Sequence, residues 1–257
     1  VKAKRNGQLD ASERLIIALD FPDGASAERM TALLAPSGVA FKVGLELFVA
    51  EGPAFLQRLK DAGAGRIFLD LKFHDIPNTV AGAVASAARA GVWMMNLHAS
   101  AGSEAMRRGA QAARAAADDA GVDPPLLIAV TVLTSIGAET LREELGVPGP
   151  IETHVLRLAR LARDAGLDGV VAPGPDAAPI RQACGPGFCI VTPGIRPAGS
   201  DVQDQARVNT PQQAIRAGSD YLVVGRPVTQ APDPLAACHA ILDEIALASG
   251  TALQQPD

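Results

Sequence analysis

Between Arg66 and Thr79 the chain reads R-I-F-L-D-L-K-F-H-D-I-P-N-T, an apolar run leading into three alternating charges, Asp70, Lys72 and Asp75. Ile67, Phe68, Leu69 and Leu71 have the pattern of a strand buried on both faces. Side chains two apart on a strand share a face, so Asp70 and Lys72 are expected as neighbours. Asp75 falls just past the strand end, and Pro77 with Asn78 and Thr79 opens a helix, since proline suits a first helical turn. A lysine flanked by carboxylates is held as an ammonium, a poor nucleophile but an acid toward anything more basic that forms beside it. That order of charges favours stabilising and protonating a carbanion. The competing explanation is a buried ion pair that only fixes register. Taking two charges out of water is costly for stability alone, and perturbed charges of this kind collect at sites.

The elements that must position these residues alternate along the whole chain. Leu15 to Asp20, L-I-I-A-L-D, is a strand followed by a turn and a helix from Ser26; V-A-F-K-V-G is a second strand with Lys42 near its end. A helix over Pro53 to Ala62 leads to the charged third strand, and an alanine-rich helix to a fourth, V-W-M-M-N-L-H, ending in Asn96 and His98. Helix Gly102 to Ala120 precedes L-L-I-A-V-T-V-L, which runs into Thr134 and Ser135. Glu139 to Leu145 and Ile151 to Ala165 are helical before D-G-V-V-A-P. A helix over Asp176 to Cys184 leads to F-C-I-V-T-P-G-I-R, and Y-L-V-V-G-R is the eighth strand, before a helix over Asp233 to Ala248. Glycines 38, 65, 91, 166 and 218 sit at the helix exits. Eight strand–helix alternations predict an α/β fold, a single (β/α)8 TIM barrel, whose strand C-termini share one rim. An open doubly wound sheet is the rival, but no G-x-G-x-x-G follows the first strand.

A chain of 257 residues with 48% apolar residues is long enough for one large core. The reading is a flexible arm over residues 1–13, a barrel domain over 14–248 and a flexible tail over 249–257. A net charge of -5 with 4% aromatics offers no basic, base-stacking surface and argues against nucleic acid. No apolar run reaches the length of a membrane span, and residues 1–13 lack the apolar segment of a signal peptide. Cys184, Cys189 and Cys238 are odd in number, without metal-like spacing, and read as small apolar groups in a reducing, cytoplasmic setting.

If the barrel closes, its rim holds Asp20, Lys42, Asp70, Lys72, Asp75, His98, Thr134, Arg196, Gly225 and Arg226. P-G-I-R and V-G-R-P-V, after the seventh and eighth strands, place glycine amides and guanidinium groups where barrels commonly bind phosphate, with Arg226 as the anchor. His98 is either a hydrogen-bonded core side chain or a ligand contact; His154 and His239 fall within predicted helices. The polar segment over residues 198–209 is expected to be a mobile loop.

These motifs resemble the bacterial orotidine 5'-phosphate decarboxylase family from Leu15 to about Ala246. They are A-L-D at Asp20, F-K-V-G at Lys42, D-L-K-F-H-D-I-P-N-T from Asp70, V-T-V-L-T-S ending at Ser135, V-T-P-G-I-R ending at Arg196, and V-G-R-P-V-T at Arg226. The resemblance implies decarboxylation of orotidine 5'-monophosphate to UMP without cofactor or metal, with Lys72 as proton donor. It implies Asp20 and Lys42 at the ribose, Thr134 and Ser135 at the pyrimidine, and Gln205, Gly225 and Arg226 with Arg196 at the phosphate. It further implies a homodimer with shared sites, Asp75 and Thr79 being lent by one subunit to the other. The D-x-K-x-x-D core is shared with magnesium-dependent sugar-phosphate decarboxylases and aldolases of the same superfamily, which stand as the alternative. Those relatives are expected to carry a carboxylate where this chain has Lys42, whose ammonium would repel a metal. A non-catalytic nucleotide-phosphate sensor is a third reading.

Overall fold

The computed structural model describes residues 9–197 and 209–250. Eight parallel strands close a barrel in sequence order: β1 (Leu15–Ala18), β2 (Ala40–Gly44), β3 (Ile67–Phe73), β4 (Met94–His98), β5 (Leu126–Val130), β6 (Gly169–Val171), β7 (Cys189–Thr192) and β8 (Tyr221–Val224). The apolar runs are short, and most are rich in Val, Ile and Leu, as strands buried on both faces require. The twofold alternation then decides which residues point inward. Ile16, Ala18, Ala40, Phe68, Met94, Ile128, Val191 and Val223 form one apolar cluster inside the barrel. Leu15, Ile17, Phe41, Val43, Ile67 and Leu69 belong to a second cluster against the helices.

Continued one step toward the strand C-termini, the inward alternation replaces apolar residues with Asp20, Lys42, Asp70 and Asn96. A polar layer therefore tops the barrel filling at the C-terminal mouth. At the opposite end Leu9 is buried and Trp93 packs edge-on against Tyr221, with the Arg66 guanidinium over the Trp93 ring.

Helices α2 (Gly24–Leu34), α4 (Phe55–Asp61), α5 (Pro77–Arg89), α6 (Gly102–Ala120), α8 (Ile151–Asp164), α9 (Gly174–Cys184), α10 (Pro211–Arg216) and α12 (Pro234–Ser249) surround the barrel. Caps set several starts: the Asp23 carboxylate accepts from Ser26 N–H, and Asp233 does the same for Ala236 N–H. Gly166, at a left-handed φ of 84°, closes the turn from α8 toward β6.

The observed elements depart from the sequence reading in four places. A short helix α1 (Ala11–Arg14), capped at Asp10, and buried Leu9 pack onto the barrel, so the packed chain begins within the arm expected over residues 1–13. Helix α3 (Leu45–Glu51) was not legible, because Leu45 and Val49 are exposed and its apolar residues mark no buried stripe. Helix α11 (Arg226–Thr229), directly after β8, is too short to carry a period; α7 (Ala138–Glu143) was expected. Strand β5 stops at Val130, three residues before the end of its apolar run; Thr131 still donates its backbone N–H and its hydroxyl to the Val171 carbonyl, and the chain then continues toward the rim. Residues 1–8, residues 198–208 of the loop expected over 198–209, and the tail beyond residue 250 lie outside the described residues.

Candidate active site

Four charged side chains from three adjacent strands form one line across the C-terminal mouth. The Lys42 ammonium lies 3.0 Å from Asp20 Oδ1 and 3.3 Å from Asp70 Oδ2, and the Lys72 ammonium lies 2.8 Å from Asp70 Oδ1. Asp70 is thus shared between two cations, and both of its oxygens are engaged. Burial by itself would lift its carboxyl into the neutral form. Lys42 and Lys72 outweigh that, and hold it below the usual carboxylate range. Burial likewise opposes the charge on Lys42, but Asp70 and Asp20 raise its pKa above that of an ordinary lysine. Asp70 and Lys42 are thus each held in the charged form by their neighbours.

The local backbone explains how Lys72 reaches the mouth. Strand β3 pairs regularly with β4 through Leu69 opposite Met95, then resumes at Phe73 opposite Leu97, so four residue steps along β3 match two along β4. At this bulge Lys72 adopts φ 51°, the one left-handed non-glycine among the described residues. A bulky residue there costs on the order of 1–2 kcal/mol. Bulges beside active sites re-aim side chains, and this one turns the ammonium onto Asp70. Gly44, the last residue of β2, keeps the mouth open: a Cβ there would stand 3.2 Å from Lys42 Nζ.

A cavity of about 230 Å³ opens above the line, bordered by Asp20, Lys42, Asp70, Lys72, Thr134 and Arg196 together with apolar Val130, Val171, Pro193 and Val223. Gly225 and Arg226 follow β8 on the same rim; a Cβ on Gly225 would lie 3.7 Å from Asp20 Oδ2. A larger cavity of about 490 Å³ lies at the opposite end, beside Trp93, Tyr221 and Arg66. There Arg66 already donates to the carbonyls of Ser12, Glu13 and Gly38, and barrel chemistry is built at the C-terminal face. We therefore assign the smaller cavity as the site.

Other expected residues fall outside this pocket. Ser135 is exposed just beyond Thr134. Asp75 and Thr79 are exposed, and Asp75 Oδ1 accepts the Ile76 N–H at 2.6 Å. Among the described residues Asp75 has no ion-pair partner, so within one chain Lys72 is flanked by Asp70 alone and not by both acids. Gln205 lies outside the described residues. His98 packs against His74 with ring centroids 5.2 Å apart and the rings tilted by 35°, and burial, followed by His74 and Lys72, lowers its pKa.

Asn96 was placed at a strand end by the sequence but not counted with the site. It is fully buried; its Nδ2 donates to Asp70 Oδ1 at 2.7 Å, and its Oδ1 accepts the Lys72 backbone N–H at 2.8 Å. The available signal was a polar residue at the inward position between Met94 and His98.

Fold and charge array together define a barrel enzyme of the D-x-K-x-x-D kind, in which a lysine beside a carboxylate faces a small rim cavity. The family model described as orotidine 5'-phosphate decarboxylase / HUMPS family matches residues 13–241, and the chain belongs to this family. An orotidine 5'-phosphate decarboxylase of Moorella thermoacetica is 53% identical over 93% of this chain and 94% of its own length. One from Alkalilimnicola ehrlichii is 54% identical over 91% of this chain and 96% of its own. The crystal structure of orotidine 5'-phosphate decarboxylase from Lactobacillus acidophilus superposes with a TM-score of 0.81 at 38% identity, covering 91% of this chain and 99% of that one.

Proposed function

We propose that this chain removes CO2 from orotidine 5'-monophosphate to give UMP, with Lys72 as the acid. The observation that carries the reading is the Lys72 ammonium, fixed 2.8 Å from Asp70 at the border of the rim cavity. When the bond from C6 to the carboxylate breaks, its electron pair stays on C6 in the ring plane, where no ring substituent delocalises it well. An ammonium already oriented toward that position stabilises the pair without reorganisation. A proton then passes from Lys72 Nζ to C6, and the lysine recovers a proton from solvent. Asp70, beside the departing carboxylate, supplies a smaller contribution by repelling the ground state.

The remaining assignments follow from position on the rim. Asp20 and Lys42 meet the ribose hydroxyls, and Thr134 and Ser135 the pyrimidine. Arg196, Gln205, Gly225 and Arg226 hold the phosphate, where barrels commonly bind it after strands 7 and 8. The working unit is a homodimer. Exposed Leu45, Val49 and Ile76 lie just past the ends of adjacent strands β2 and β3, an apolar edge that a second copy would cover. The same edge carries exposed Asp75 and Thr79, the residues assigned to the neighbouring subunit's site. No helix among the described residues is long and apolar enough to cross a membrane, and three free cysteines suit a cytoplasmic enzyme.

The chemistry of the donor set disfavours the magnesium-dependent alternative. Lys42 Nζ already bridges Asp20 and Asp70, neutralising the two carboxylates a cation would need. The deciding experiment follows the ultraviolet absorbance of orotidine 5'-monophosphate with purified protein, with and without EDTA. Turnover unaffected by EDTA is expected. Loss of turnover on chelation would favour the sugar-phosphate alternative, and tight UMP binding without turnover would favour a sensor.

A further inference from the structure

Resting on that reading, we propose that Asn96 is the positioning residue that sets both the Asp70 carboxylate and the backbone of Lys72 for proton delivery. Where β3 bulges away from β4, the Lys72 N–H loses its regular ladder acceptor. Asn96, from β4, supplies one with its Oδ1 at 2.8 Å. The same amide donates through Nδ2 to Asp70 Oδ1 at 2.7 Å, the oxygen that also holds the Lys72 ammonium.

Only one amide orientation serves both partners. A backbone N–H can only donate and an ionised carboxylate can only accept, so oxygen must face Lys72 and nitrogen must face Asp70. Asn96 is fully buried, and its side chain has no competing water-facing direction. A three-membered unit results: Asn96 ties the left-handed main chain of Lys72 to the carboxylate that aims its side chain. An aspartate at this position would set two carboxylates against each other, and an apolar residue would leave the Lys72 amide without its acceptor.

Asn96 does not border the cavity that receives the nucleotide, so its loss should act on the chemical step rather than on binding. The test measures kcat, KM and UMP affinity for Asn96→Ala and Asn96→Ser beside the wild-type chain. For Asn96→Ala we expect kcat to fall about a hundredfold, the scale of a misplaced reacting group, with UMP affinity held within about threefold. Asn96→Ser, whose hydroxyl can donate to Asp70 or accept from Lys72, should recover part of that loss. A folded Asn96→Ala with kcat within about threefold of wild type, or a loss wholly in KM, would overturn the inference while leaving the decarboxylase reading intact. Absence of turnover in the wild-type chain would instead remove the reading itself. Amide hydrogen exchange of the wild-type protein keeps the inference testable should both variants fail to fold. Protection at Lys72 comparable to Leu69 supports it, and exchange at the rate of an open loop refutes it.

Discussion

Replacing Lys72 with alanine separates the chemical role of its ammonium from any structural one, and the geometry fixes what each should cost. On the structural side Asp70 is not orphaned. It keeps Lys42 at 3.3 Å and the Asn96 amide at 2.7 Å. The lost contact belongs to a side chain 28% exposed, so its strength is discounted for solvent. Destabilisation of about 1 kcal/mol follows, or roughly 2–4 °C in Tm for a domain of this size. Alanine keeps the strained φ of 51° while glycine relieves it, so Lys72→Gly should be the more stable of the two by about 1 kcal/mol. On the chemical side both the electrostatic partner of C6 and the proton donor disappear. One preorganised donor is worth roughly 10²–10³ and one general acid roughly 10²–10⁴, so kcat should fall by at least about 10⁴, or about 5 kcal/mol. The assay is the absorbance change of orotidine 5'-monophosphate, with UMP binding by calorimetry and Tm by circular dichroism. A folded Lys72→Ala that binds UMP and retains kcat within tenfold of wild type would refute the mechanism.

Further expectations concern the phosphate, the partner subunit and pH. Arg226→Ala should weaken substrate binding far more than it alters the chemical step, and a substrate lacking its phosphate should respond to added phosphite much less in this variant than in wild type; an unchanged KM would remove the arginine from the phosphate site. Mixing Lys72→Ala with Asp75→Ala subunits should restore about a quarter of wild-type activity, since random pairing gives half heterodimers with one intact site each. No recovery after subunit exchange would place Asp75 in its own subunit's site. Stability against urea should decline in acid in two stages. Below about pH 6.5 the unfolded chain takes up a proton at His98 that the folded chain, with its lowered pKa, resists; below about pH 4 the depressed Asp70 loses its contribution as pH falls through its folded value. The raised pKa of Lys42 adds stability that is complete below about pH 10 and lost only as pH climbs past its folded value. A urea midpoint constant from pH 8 to pH 3 would contradict the His98 and Asp70 assignments, and one that stays flat from pH 9 to pH 12 would contradict that of Lys42.

Sequence alone determined the eight-fold alternation, because apolar runs and glycine helix exits are local signals, and a twofold alternation fixes which charges share a face. It thereby paired Asp70 with Lys72 and put Asp20, Lys42, Thr134 and Arg196 on one rim. Three short helices escaped it: α1, which fell inside the expected arm, α3, whose buried Leu47 stands among exposed Leu45 and Val49 and marks no stripe, and α11, whose four residues carry no period. What only the tertiary structure decided lies between strands. Register across β2, β3 and β4 makes Asp70 the shared partner of two lysines, and the bulge that throws Lys72 to φ 51° depends on how β3 meets β4. Asn96 and Asp70 are 26 residues apart. Nothing local to either could announce their bond, since closure of the barrel is what brings the two inward-facing side chains to within 2.7 Å.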